Sequence, residues 1–434
     1  MKPFTGSDAG PDPEPGRGRA AVWDRVAWAV GDQALASATN IGTAVVAARA
    51  LDAEAFGAFG MAFAVYVLAV GGCRAAVTEP LVSLHSASSA TSLRPVMRAA
   101  TGAAVALGLG ASAAVLAAAA VVGSHGGRAF AALAVVLPGL LLQDAWRYCF
   151  VTAGRPRDAV VNDAIWCTTQ AGLLVVLALA GRLTLVGVIL WWGGSGVVAG
   201  LAGCRQAAML PELAAARRWL AEHRRLGGRY TMEFATAAGA TQATLLGLGS
   251  IAGLAALGGV RGAQVFFGPI NVVFGGIYLA LAAEGGRLRS EPRRLRRLMV
   301  TASGALVTVG AAWLAVGLVL PARTGRSLFG ATWAASEDVL LPVGLAVVGG
   351  GAAAGAIAGL RALAAARQSL RARLVGLPVV LAVPVGAAFA GPRAFAVGLA
   401  VATWAGAGIW WWHFAQALAE HPPAGTAEDT ARAS

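Results

Sequence analysis

The sequence is short of charge. Asp, Glu, Lys and Arg make up 13% of its 434 residues, about half the share of an ordinary soluble domain, roughly 25%. With 57% hydrophobic residues and a mean hydropathy of +0.68, that scarcity excludes a conventional soluble surface and points to a chain embedded in lipid. Cysteine is scarce too. Cys73, Cys149, Cys167 and Cys204 fall in or at the ends of apolar stretches, with no CxxC pair, which argues against a disulfide framework and against zinc. The five histidines are scattered without HExxH-like spacing, so neither a metal site nor a cofactor is expected. No short apolar run with a small-residue cleavage site opens the chain. Residues 1–20 read as a disordered hydrophilic tail, and the apolar segment after them as an uncleaved span.

Small residues are abundant: 58 glycines and a still larger number of alanines. They let helix backbones approach closely in a bilayer, although GC-rich coding produces the same bias. A span needs about 20 mostly apolar residues. That ruler places segments near 22–48, 56–78, 98–123, 129–153, 159–181, 184–204, 231–253, 263–284, 298–320, 339–362, 374–390 and 394–416. The fold class expected is an all-α membrane protein of about twelve transmembrane helices. Two segments fit the ruler least well: 374–390 is short and carries Pro378 and Pro384, and 184–204 follows a very short turn at Arg182.

The net charge of +13 would suggest nucleic acid in a soluble protein. Here nearly all the basic residues are arginines lying between apolar segments, so no nucleic acid is expected and the charge reads as topology. With both termini inside, about 26 Lys and Arg fall on inner segments. About seven fall outside: Arg49, Arg128, Arg182, Arg261, Arg323, Arg326 and Arg393. This is the asymmetry of the positive-inside rule. The arrangement expected is a lobe over 21–206, a basic linker over 207–229, a second lobe over 230–417 and a tail over 418–434. Within 211–228, Leu213, Ala216, Leu220 and His223 fall on one side of a helix and Arg217, Arg218, Arg224 and Arg225 on another, the pattern of an interfacial helix. A second basic run contains Arg293, Arg294, Arg296 and Arg297. Both runs are candidates for contact with lipid headgroups, or serve topology alone.

Some polar residues sit where lipid disfavours them. A mid-helix charge costs about 2.5–3.5 kcal/mol on insertion scales and marks a candidate functional site. Asp32, Gln33 and Asn40 lie in the first segment, and Arg74 and Glu79 in the second. Glu233 and Gln242 lie in the seventh, and Gln264 and Asn271 in the eighth. Asp32 and Glu79 in the first pair of segments parallel Glu233 and Glu284 in the seventh and eighth, consistent with duplicated halves. Arg74 is either a phosphate ligand or the ion-pair partner of Asp32. Gln143, Asp144 and Arg147 would cap or anchor the fourth helix at the cytoplasmic mouth. Trp191-Trp192 and Trp410-Trp411-Trp412 read as an interfacial belt, with sugar stacking as the alternative.

The run Gly31-Asp32-Gln33-Ala34-Leu35-Ala36-Ser37-Ala38-Thr39-Asn40 is followed by Ala48-Arg49-Ala50-Leu51, Phe56-Gly57-Ala58-Phe59, Arg74 and Glu79-Pro80-Leu81. It resembles the N-terminal helix pair of bacterial polysaccharide-biosynthesis membrane proteins. These are the oligosaccharide flippases of the multidrug/oligosaccharidyl-lipid/polysaccharide (MOP) exporter superfamily. In the second half, Leu257-Gly258-Gly259-Val260-Arg261-Gly262-Ala263-Gln264 and Gly268-Pro269-Ile270-Asn271-Val272-Val273-Phe274 resemble the family's eighth-span entry. The resemblance implies two six-helix lobes around a central cavity that opens alternately to either side, in the bacterial cytoplasmic membrane. It implies a lipid-linked oligosaccharide or polysaccharide precursor as substrate and no catalytic residues. Membrane lipids, a coupling ion (H+ or Na+) and polysaccharide-assembly proteins are the further partners to consider. Two other functions stay open: a cation-coupled drug or metabolite antiporter of the same superfamily, and a membrane polysaccharide polymerase or ligase. The stretch Pro321 to Asp338, the longest outer loop, offers little acid–base chemistry for an enzyme.

Overall fold

A computed structural model describes residues 42–85, 90–181, 183–271 and 288–420, with isolated positions between 271 and 288. Residues 1–20 and 421–434 lie outside the described residues, as do Asp32, Gln33, Asn40 and Glu284, while 418 and 419 of the expected tail are still helical. The described chain is helical throughout. Helix α1 is described over 42–50. It is followed by α2 (Ala53–His85), α3 (Ala90–Val122), α4 (Ser124–Thr152), α5 (Pro156–Leu179) and α6 (Leu185–Ala207). A single turn at Leu213–Ala215 leads into α7, an unbroken helix over 216–251. Then come α8 (Leu254–Phe266), α9 (Pro292–Val319), the short α10 (Ala322–Phe329), α11 (Thr332–Ala362), α12 (Ala366–Ala388) and α13 (Pro392–Ala419). Among the described residues, nine helices are long and apolar enough to cross a membrane. With α1, α7 and α8 they make a layout of about twelve.

Several helices begin earlier than the apolar ruler suggests, because charged residues extend a helix beyond the lipid. Helix α12 runs unbroken through Pro378 and Pro384; neighbouring helices can re-satisfy backbone groups freed by proline. Helix α8 begins at Leu254 and not at 263. Gly253, at φ 90°, makes the turn, and nothing after it interrupts an apolar helix except Arg261. That arginine belongs inside the bundle, which corrects its assignment to an outer loop.

The helices form two groups. Helix α4 packs against α2, α3 and α6 in the first, and α11 against α8, α9 and α13 in the second. The groups meet most extensively where α2 crosses α8. A Cβ on Gly57 would collide with the Leu254 carbonyl oxygen, and one on Gly258 with that of Ala53. Both residues lie near the end of the bundle that holds the α1–α2 and α7–α8 turns. At the same end, Thr332 Oγ1 donates to the Ala48 carbonyl at 2.9 Å, and Gly330 lies against the Arg49 backbone. The two lobes are therefore closed at this end. The opposite, basic end carries most of the arginines.

Helix α2 holds one π-helical turn, Arg74–Thr78. Such turns insert a residue, often at functional sites. Helix α7 has its own at Ala235–Gly239. The first half of α7 lies on the first lobe: Trp219 is buried, and Gly227 sits against the Ala76 carbonyl of α2. Its second half packs on α12 of the other lobe. The helix thus runs on across residue 229, where the linker was expected to end, and joins the lobes.

Gly57→Val should part the α2–α8 crossing. A cysteine replacing Thr43 should then react several-fold faster with a membrane-impermeant maleimide added at the closed end. Unchanged labelling in a normally folded variant would show that this crossing does not close that end.

Candidate functional site

Between the lobes, in the half nearer the closed end, lies a cavity of about 330 Å³. Its wall is built by one-turn spacings on two helices. Gly57, Gly60 and Phe63 follow each other along α2, and Leu254, Gly258 and Arg261 along α8. The bare Cα of Gly60 makes room for the stem of Arg261, whose Cγ lies 2.9 Å from where a Cβ would stand. The guanidinium then lies over the Phe63 ring, 5.2 Å from its centroid, and Nη1 donates to Gln264 Oε1 at 3.2 Å. Among the described residues no carboxylate pairs with Arg261. A cation over an aromatic face gains about 2 kcal/mol when desolvated, which offsets only part of an intramembrane arginine's cost, about 2.5–3.5 kcal/mol.

Opposite stands Trp192, with Phe59, Thr43 and Asn271 completing much of the lining. Trp192 is held from several sides. Tyr66 meets it edge-on at 4.8 Å and Phe63 lies 5.6 Å away, while the Trp166 indole donates to its carbonyl at 3.1 Å. Gln170, buried on α5, donates to Thr43 and ties α1 to the first lobe.

Of the residues expected to form a site, Gln264 and Asn271 line this cavity. Arg74 does something else. Its Nε donates to Asp144 Oδ2 at 2.9 Å, and a second bond from Nη2 makes the pair two-pronged. Tyr148 lies under the guanidinium at 5.5 Å. The partner seen is Asp144 of α4; Asp32, the partner expected, lies outside the described residues. Asp144 does not cap the mouth. It is 4% exposed, two turns inside α4, and faces Arg74, the first residue of the π turn of α2. Gln143 is buried beside it and donates to Asp163 at 2.8 Å, while Arg147 reaches Asp163 at 3.4 Å. Asn162 donates to the Ala199 carbonyl and to Gln206. These bonds fasten α2, α4, α5 and α6 into one body.

Glu79 is half-buried near the basic end. Glu233 is exposed and lies 3.6 Å from Arg373 of α12. Gln242 is half-buried, with its carbonyl oxygen enclosed and without a partner among the described residues. Trp191 and Trp192 are buried, so they are no interfacial belt; of the second cluster only Trp412 is largely exposed. Gly349 and Gly351 pack closely on Trp404 and Phe274.

No protein-family model matches the sequence, and neither does any curated protein. Solved structures do match. The inward-facing conformation of a multidrug resistance MATE family transporter of the MOP superfamily aligns with a TM-score of 0.68 at 15% identity, covering 88% of this chain and 94% of that one. The two chains share a fold. Lipid II flippase MurJ in an inward closed conformation aligns at 0.66 and 10% identity over 91% of this chain and 90% of its own. An outward-facing MATE transporter reaches 0.55 at 12% identity, over 92% and 96%. Of these three, the two inward states score higher than the outward one. This chain places Arg261, Gln264 and Asn271 of the second lobe on the space between its two lobes.

Asp144→Asn should leave Arg74 without its counter-charge. Breaking a buried pair from one side costs about 3–5 kcal/mol, and the lower end applies because the Arg74 side chain is 34% exposed. Thermal unfolding in detergent should show the loss. The double change Arg74→Met with Asp144→Leu should recover most of it.

Proposed function

We propose that this chain is a transporter that moves an anionic, lipid-linked glycan precursor across the bacterial cytoplasmic membrane by alternating access. The single observation that carries this reading is Arg261, an arginine on a cavity wall with no carboxylate partner among the described residues. Its guanidinium has donors to spare for phosphate, which planar two-pronged donors bind well. Gln264 and Asn271 supply hydrogen bonds for sugar hydroxyls, and Trp192 an aromatic wall. A polyprenyl-diphosphate tail is at home in lipid while its phosphates and sugars are not. The polar groups of Arg261, Gln264 and Asn271 on the gap between the lobes would offset part of the cost of crossing.

The basic end faces the cytoplasm in this reading, by the positive-inside rule. The closed glycine crossing then faces outward, and the structure is an inward state waiting for cytoplasmic substrate. Assembly proteins that make or polymerise the glycan are the partners to look for. No reacting side chain is needed, because the bonds of the cargo stay intact. A cation-selective antiporter fits less well: within the described lining the charge is positive, and the buried Asp144 is already engaged by Arg74. The coupling ion, H+ or Na+, would have to act elsewhere.

In proteoliposomes, Arg261→Gln should lower translocation of a fluorescent polyprenyl-diphosphate sugar at least ten-fold, with Arg261→Lys intermediate. Full activity of the glutamine variant, or transport by the parent protein of cationic dyes in preference to the diphosphate, would overturn the assignment.

A further inference from the structure

Helix α7 carries a second surface that the cavity does not use. At 100° per residue, Arg217, Arg218, Arg224 and Arg225 fall within an arc of about 120°. Ala216, Trp219, His223 and Gly227 occupy the opposite side. The structure shows which side is taken. Trp219 is 4% exposed and stacks on His223 at 4.0 Å, with His85 at the end of α2 beside both. The apolar stripe is consumed by α2 and α3 of the first lobe. All four arginines are exposed, and none has a carboxylate partner among the described residues. An interfacial helix ordinarily buries its apolar face in lipid. This one has its apolar face on protein and only charge left to offer.

The same helix continues without interruption through the π turn at Ala235–Gly239 to Ile251. There it lies on α12 of the other lobe. Any rocking of one lobe against the other must bend or tilt α7, and a π turn is a natural place for it to yield.

We propose that the arginine face of α7 binds the phosphate headgroups of anionic lipids in the adjoining leaflet, and that through the unbroken helix this contact sets how far the two lobes stand apart at the basic end. The ligand is membrane lipid. Charge complementarity selects it, since each basic group near an anionic leaflet adds attraction that fades within a Debye length. The device does not depend on which substrate the cavity takes.

The test uses the full-length protein with Cys167→Ser, labelled with nitroxides at Arg205→Cys on α6 and Arg367→Cys on α12, both exposed at the basic end. Distances between the labels are compared in nanodiscs of phosphatidylcholine and in discs holding about 30% phosphatidylglycerol, a leaflet charge strong enough to attract basic segments. The parent should show a clear shift of the distance distribution between the two lipids, abolished in about 0.5 M KCl, where screening is short-ranged. It should also immobilise spin-labelled phosphatidylglycerol several-fold more than phosphatidylcholine. With Arg217, Arg218, Arg224 and Arg225 all changed to Gln, both responses should vanish; all four changed to Lys should retain them. Changing Arg293, Arg294, Arg296 and Arg297 to Gln removes the same charge from α9 and should leave the distance shift intact. The proposal is overturned by a parent insensitive to lipid charge, by a glutamine variant that still responds, or by equal loss in the α9 control. Reproduction of the shift by inorganic phosphate in neutral discs would overturn it as well.

Discussion

The crossing of α2 over α8 is the contact on which the described structure turns. Two backbones meet there because Gly57 and Gly258 have nothing to hold them apart. In lipid, apolar side chains gain little by leaving the acyl chains, so close van der Waals packing of small residues carries helix association. This crossing brings the lobes together at one end, and it also sets the register of the neighbouring turns. One turn further along α8 stands Arg261, and one turn further along α2 stands the glycine that admits its stem. Move the crossing by a single residue and the guanidinium loses both its slot and the ring of Phe63.

The buried polar residues of the first lobe serve a different purpose. Arg74 and Asp144 neutralise each other, and Gln143, Asn162, Asp163 and Gln206 satisfy one another across three helices. These bonds tie four helices of the lobe into one body. Among the described residues charge therefore divides by location: Arg74 and Asp144 pair inside the first lobe, while Arg261, without a carboxylate partner, lies on the space between lobes.

Much of the architecture was legible in the sequence, since a bilayer imposes a fixed length on apolar segments and the arginines sort to one side. The helix ends were less so, because runs such as Ala366–Arg373 are polar yet helical, and the ruler measures only the apolar part. The site was read in part. Gln264 and Asn271 stood out as polar residues in an apolar stretch, but Arg261 was grouped with loop residues because Gly258-Gly259 looks like a break. In lipid a glycine pair more often marks a close crossing. The absence of any proline or polar run between Gly253 and Phe266 was the signal that α8 continues through it. The partner of Arg74 was hidden for another reason. Asp144 is 70 residues away on another helix, and the periodicity of one helix says nothing of its partner across the bundle.

A joint made of main chain differs from one made of interdigitated side chains. When the surfaces at Gly57 and Gly258 separate, neither carries a rotamer to reset, and when they return there is no jigsaw to reassemble. In the proposed transport cycle, opening and closing at so smooth a contact would take the same path in both directions, with little memory of the previous turn.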